Sequence, residues 1–212
     1  KSLSERDENL IWHPLTQHKT AAPLKAIKKA KGVWLEDEDG NRFIDGISSW
    51  YTSMYGHCHP KIKKAVSKQM DKLDQVVFSG FTHEPAVELA EKLITILPSN
   101  QAKLFFNDNG STATEIGIKM ALQYHHNQGN QRNIMLAFEE GFHGDTFGAM
   151  SVSGLSVYNG AFEKHFIEVL RLPKPNGNNN EEVLKKLQQY INEHAIAGFI
   201  YEPLIQGADA MK

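Results

Sequence analysis

Phe105-Phe106-Asn107-Asp108-Asn109-Gly110-Ser111-Thr112-Ala113 is the stretch that decides how this 212-residue chain folds. An apolar run stops at a polar, glycine-containing turn. Ala113, Ile116, Gly117, Met120, Ala121 and Tyr124 then recur at helical spacing. Asn109, Ser111 and Thr112 are residue types that start helices, because their side-chain oxygens accept from the free N–H groups of the first turn. A helix start also carries the positive end of the helix dipole, so it suits a phosphate. Gly110 lets such a group approach the backbone, and the hydroxyls of Ser111 and Thr112 can add donors. An ordinary capped helix in an α/β protein shows the same pattern, so the neighbouring segments decide between the two readings.

Outward from that turn, strands and helices alternate. Residues 103–106 read as a strand and residues 110–126 as the helix. Residues 134–138 form a second strand, followed by a glycine-rich loop with a short helix over 141–153. A strand is expected over 166–170, a helix over 181–193 and a strand over 197–203. This alternation predicts a mostly parallel sheet with helices on both faces, an α/β fold. Toward the amino terminus the pattern is less regular. Residues 33–35 and 42–44 flank Asp37-Glu38-Asp39-Gly40-Asn41 as a hairpin. Pro60 opens a helix to about residue 71, with proline in its first turn. A second helix over 84–97 is stopped by Pro98. Residues 1–9 are polar and are expected to be partly disordered. The apolar run 197–205 reads as a buried strand with no successor, which is expected of a truncated chain.

Composition narrows the function classes. Hydrophobic residues make up 41% and charged residues 23% of the sequence, as in ordinary globular proteins. The formal net charge of −2 gives no electrostatic reason to expect nucleic acid or a membrane as partner. Cys58 stands alone, so no internal disulfide can form, which fits a reducing cytoplasm.

Three further segments carry chemistry. Gly141-Phe142-His143-Gly144-Asp145-Thr146-Phe147-Gly148 follows the strand over 134–138. Its glycines permit close approach of a flat ligand, Phe142 can stack on a planar ring, and His143 can orient a ligand or serve as a structural histidine. Ligands of open α/β sheets bind at the carboxyl ends of strands, where both glycine turns are expected. Ser48-Ser49-Trp50-Tyr51, with Tyr55-Gly56-His57-Cys58-His59-Pro60 after it, can wall a substrate pocket. His57, Cys58 and His59 also admit a metal reading, completed by Glu202, but no second cluster has zinc-site spacing. Tyr201-Glu202-Pro203 sets a carboxylate at a strand end, placed for function or for pairing with a nearby cation.

Taken together these segments resemble the class III, fold type I aminotransferases that use pyridoxal phosphate. The resemblance rests on Ile11-Trp12-His13-Pro14, Asp45-Gly46-Ile47-Ser48-Ser49-Trp50, Gly56-His57-Cys58-His59-Pro60, Phe81-Thr82-His83 and Asp108-Asn109-Gly110-Ser111. The segments from Gly141 to Val152 and from Glu202 to Ala208 complete it, in order along nearly the whole chain. It implies a fold type I architecture, with residues 1–59 in a small domain and residues 60–212 as the first part of a large cofactor-binding domain. It implies pyridoxal 5'-phosphate bound by Gly110, Ser111, Phe142, His143 and Glu202. Phe142 stands where the family commonly has tyrosine, so stacking survives without the phenol hydroxyl. Trp50 and Tyr51 match substrate-pocket positions. Leu15 replaces an aromatic that recognises substrate in well-known members. The branch resembled aminates a long-chain amino-oxo acid in biotin synthesis, with adenosylmethionine as usual donor and lysine in some relatives. A cytoplasmic homodimer acting on small molecules follows from the same likeness. The family's Schiff-base lysine and its pyridine-nitrogen aspartate match no position here, so no catalytic residue is assigned. Another class III ω-aminotransferase, or a non-catalytic relative of the fold, stands as the alternative.

Overall fold

The computed structural model describes residues 1–205 and Gly207; Gln206 and residues 208–212 lie outside the description, and with them the last part of the Glu202-to-Ala208 motif. Contacts divide the chain into two compact units, Lys1–Leu97 and Pro98–Lys212. The sequence boundary at 59/60 differs from this division. The helices Pro60–Met70 and Glu84–Ile94 fall within the first contact unit.

The first unit holds a three-stranded antiparallel sheet in the order Ile27–Lys31, Trp34–Asp37, Arg42–Ile44. The expected hairpin forms, with Leu35 opposite Phe43. Its loop is closed by Asp37, whose carboxylate accepts from the N–H of Asn41 at 2.8 Å and of Asp39 at 3.1 Å, and from Asn41 Nδ2 at 3.0 Å. Gly40 takes φ +85° there, a conformation that glycine adopts without Cβ crowding. The strand Ile27–Lys31 was invisible in sequence, since Ile-Lys-Lys-Ala-Lys has no apolar alternation and is held by backbone pairing. Residues 1–9 correct the expectation of disorder. Leu3–Glu8 is a helix with a complete capping box, in which Ser2 Oγ accepts from the Glu5 N–H at 3.1 Å and the Glu5 carboxylate accepts from the Ser2 N–H at 2.8 Å.

Between sheet and helices, Ser48–Tyr51 makes one turn with every φ positive, from +48° to +69°. The Asp45 carboxylate, which accepts from the Ser49 N–H, His57 Nε2 and Ser49 Oγ, is lowered from 3.8 to about 2. A folded-state pKa below the unfolded one stabilises the fold above about pH 4, and that contribution disappears as pH falls through about 2. Melting of the full-length protein at pH 6 and pH 3 is therefore expected to show a smaller acid-induced drop for Asp45→Asn than for wild type. Equal drops would remove Asp45 from the acid response.

The second unit is built on three parallel strands in the order Val169–Leu172, Ile134–Phe138, Ile196–Ile200. The central strand Ile-Met-Leu-Ala-Phe is apolar throughout because parallel strands are covered on both faces. Leu136 is 1% and Ala137 0% exposed. Ile118, Met135, Ala137, Val152 and Ala197 form the core, with Ala121, Leu122, Val169 and Ile200 packed against it. The helices Gly110–Asn127, Phe147–Val152 and Asn180–Glu193 each contact a strand of this sheet. This is the parallel sheet with covering helices that the strand–helix alternation predicts.

Two strand expectations need correction. Residues 103–106 are not a strand: they belong to neither sheet among the described residues, and a strand exists only through its ladder. The strand expected over 166–170 lies at Val169–Leu172, because Phe166 caps the 3-10 helix Gly160–His165 and the Ile167 N–H donates to Ser151 Oγ at 3.1 Å. Among the described residues no helix is long and apolar enough to cross a membrane.

Candidate functional site

The helix Gly110–Asn127 begins at Asn109, whose side chain accepts from the Thr112 N–H at 3.0 Å. Thr112 Oγ1 donates to the Asn109 carbonyl at 3.0 Å and faces the Asn109 N–H at 3.3 Å. Thr112 is thus committed to the cap, which corrects the expectation that its hydroxyl serves a ligand. The N–H groups of Gly110 and Ser111 find no acceptor among the described residues. A Cβ on Gly110 would meet nothing within 4 Å, so the approach to these donors is open.

Ser111, Thr114 and Glu115 lie on one face of this helix, and each takes hold of the glycine loop. Ser111 Oγ accepts from the Asp145 N–H at 3.0 Å and keeps its own proton to donate. Thr114 Oγ1 donates to the His143 carbonyl at 2.8 Å. Glu115 Oε1 accepts from the N–H of Gly148 at 2.7 Å and of Ala149 at 3.3 Å. Those groups open the helix Phe147–Val152, so Glu115 caps it in place of Thr146, whose hydroxyl makes no cap bond. At the other end, the Arg171 guanidinium donates to the carbonyls of Ser151 at 2.7 Å and Ser153 at 2.9 Å. A carboxylate at the start and a guanidinium at the end complement the helix dipole. Two glycines make this packing possible. A Cβ on Gly144, at φ +131°, would lie 2.8 Å from Ser111 Cα, and one on Gly148 would collide with the Glu115 carboxylate.

His143 sits between these supports, its N–H donating to Ser153 Oγ at 2.9 Å. Burial pushes its pKa below the ordinary value, and the Glu202 charge opposes that shift. Glu202 therefore lies within electrostatic reach of the loop; its carboxylate also accepts from the Gly207 N–H at 2.7 Å. Phe142 precedes His143 and is 48% exposed. Gly110 and Ser111 are thereby joined to the loop that carries Phe142 and His143, through Thr114 Oγ1 and Ser111 Oγ, while Glu202 reaches it only electrostatically. The donor set suits a phosphate: two open N–H groups and a hydroxyl at the start of an 18-residue helix.

The other named residues belong to the first unit. Trp50 is 61% and Tyr51 66% exposed, both on the Ser48–Tyr51 turn, and Leu15 is exposed at φ +52°. His57 Nε2 faces the Asp45 carboxylate at 2.7 Å. Among the described residues no three His, Cys, Asp or Glu side chains come together as a metal-binding group. Sequence reasoning missed Glu115, Arg171 and Asp45. Glu115 carried a usable signal, standing one helical turn after Ser111 on the same face.

Comparison with known proteins shows the family of the chain. The profile of the family described as aminotransferase class-III matches residues 16–211. An adenosylmethionine-8-amino-7-oxononanoate aminotransferase of Synechococcus elongatus is 44% identical over 95% of this chain and 50% of its own length. The crystal structure of the enzyme of that name from Methanocaldococcus jannaschii superposes with TM-score 0.89 at 33% identity, covering 97% of this chain and 47% of that one. A transaminase from the marine bacterium Virgibacillus gives 0.86 at 30% identity, over 98% and 48%. The chain spans about half the length of the curated relatives it matches.

Proposed function

The chain belongs to the class III aminotransferases, a pyridoxal-phosphate-dependent family, and from that premise we propose that the protein carrying it converts 8-amino-7-oxononanoate to 7,8-diaminononanoate in biotin synthesis. The observation that carries this most is the 44% identity, over 95% of this chain, to a relative named for that substrate. Adenosylmethionine is the proposed donor, with lysine as the other candidate. We assign residues 60–212 to the large domain and the working form to a cytoplasmic homodimer, as the family likeness suggests.

Pyridoxal phosphate, when bound, supplies the electron sink through which an amino group passes from donor to acceptor. The chain's own residues bind and orient. Gly110 and Ser111 offer two N–H donors and a hydroxyl to the phosphate. Phe142 gives a flat apolar face without a proton to donate. His143, held toward its neutral form by burial, adds no fixed positive charge beside the ring. Glu202 keeps a carboxylate near that loop. Trp50 and Tyr51 wall the aliphatic chain of the acceptor, and Leu15 adds apolar surface where a hydroxyl would favour a polar substrate. The catalytic lysine is placed outside these 212 residues.

Full-length protein loaded with pyridoxal phosphate, given the oxo acceptor with adenosylmethionine or lysine, is expected to form the diamine. No diamine with either donor, alongside good turnover of 4-aminobutyrate, would move the protein to another ω-aminotransferase branch.

A further inference from the structure

We propose that Asp45 is the positioning residue that holds Ser48–Tyr51 in a left-handed turn and so presets Trp50 and Tyr51 for the acceptor substrate. The proposal rests on the reading that these two aromatics meet substrate.

The turn is an outlier that demands a cause. Ser48, Ser49, Trp50 and Tyr51 have φ of +49°, +48°, +53° and +69°, and none is glycine. For L-residues this region crowds Cβ against the following carbonyl, so successive residues avoid it. The run brings no compensating burial, since both aromatic side chains remain largely exposed. Strain of this kind persists where surrounding bonds over-determine the backbone, and it gathers at functional sites.

Asp45 supplies that over-determination. Its carboxylate accepts from the Ser49 N–H, from Ser49 Oγ at 2.8 Å and from His57 Nε2 at 2.7 Å. Its carbonyl accepts from the Ser48 N–H at 3.3 Å. Asp45 directly follows the strand Arg42–Ile44 and is tied to the first hairpin, its N–H donating to the Val33 carbonyl at 2.9 Å. His57 is anchored to the same hairpin: its N–H donates to the Gly32 carbonyl at 2.8 Å and its carbonyl accepts from the Gly32 N–H at 3.0 Å. The Ser53 N–H closes the far end on the Ser48 carbonyl at 2.9 Å. The carboxylate thus sits at the centre of a staple between the sheet and the turn. Remove it, and the two donors of Ser49 lose their acceptor while the Cβ crowding remains.

The test uses the full-length holoenzyme. Asp45→Ala is expected to raise KM for the oxo acceptor about tenfold, with kcat and cofactor absorbance little changed, the pattern of lost substrate positioning. Amide hydrogen exchange over residues 48–51 is expected to accelerate in the same variant. Adding Ser48→Gly and Ser49→Gly to Asp45→Ala is expected to bring KM back to within about threefold of wild type, because glycine adopts positive φ without strain. A merely structural role would not produce that rescue. Asp45→Asn, which keeps the side-chain shape, serves if the alanine variant fails to fold, with an intermediate KM expected. Unchanged KM and unchanged exchange in Asp45→Ala would overturn the proposal, as would failure of the glycines to restore KM in a folded protein. A Trp50→Ala enzyme with normal acceptor KM would instead reject the substrate reading of the aromatics, while amide exchange would still decide whether Asp45 holds the turn.

Discussion

Gly144→Ala in the full-length enzyme is expected to lose most of its bound pyridoxal phosphate. The reason is local and steric. Gly144 sits at φ +131°, and a Cβ there would lie 2.8 Å from both Cα and Cβ of Ser111 and closer still to its hydroxyl. Ser111 cannot move aside alone, because it belongs to the first turn of the helix that presents the phosphate donors. The loop must lift instead, which breaks the 3.0 Å bond from the Asp145 N–H to Ser111 Oγ. Overpacking costs about 1–3 kcal/mol, and a forced positive φ costs of order 1–3 kcal/mol more. Together these correspond to a loss of cofactor affinity of roughly 30-fold or greater. Equilibrium dialysis against pyridoxal phosphate measures it. A variant that retains cofactor like wild type would show that the loop and the helix start do not form one site.

Ser111→Ala is expected to weaken cofactor retention by about tenfold or more, through a hydroxyl donor to a charged group that contributes roughly 1.5–3 kcal/mol. The same change removes the acceptor for the Asp145 N–H. Asp145 is itself exposed, so water can replace that acceptor, and the loss is expected mainly in cofactor binding. Cofactor release rate and melting temperature of the apoprotein separate the two effects. A lowered apoprotein melting temperature with unchanged release would make Ser111 a structural residue only.

Much of this architecture was legible because its signals are local. The helix after Gly110 declared itself by its cap at Asn109, and the strand Ile134–Phe138 by an unbroken apolar run. Of the apolar face read from the sequence, however, Met120 and Tyr124 are exposed, and the helix buries Ile118 instead. Signals that depend on partners were not legible. Residues 103–106 have the composition of a strand but no ladder among the described residues. Ile27–Lys31 has a ladder but not the composition. The glycine turns could be seen as ligand-friendly, yet their fit against Ser111 and Glu115 could not, because those contacts bridge more than thirty positions. The left-handed turn at Ser48–Tyr51 was hidden most fully. Serine, tryptophan and tyrosine give no hint of positive φ, which here comes from Asp45 and His57 on either side.

The central claim is that the helix start at Gly110 and Ser111, stitched to the loop from Gly141 to Gly148, is the seat of the cofactor phosphate. A crystal structure of the full-length protein with pyridoxal phosphate tests it most directly. The account predicts phosphate oxygens within hydrogen-bond distance, about 2.7–3.2 Å, of the Gly110 and Ser111 N–H groups and the Ser111 hydroxyl, with the Phe142 ring against the pyridine ring. A phosphate bound elsewhere, with those three donors facing only solvent, would contradict it.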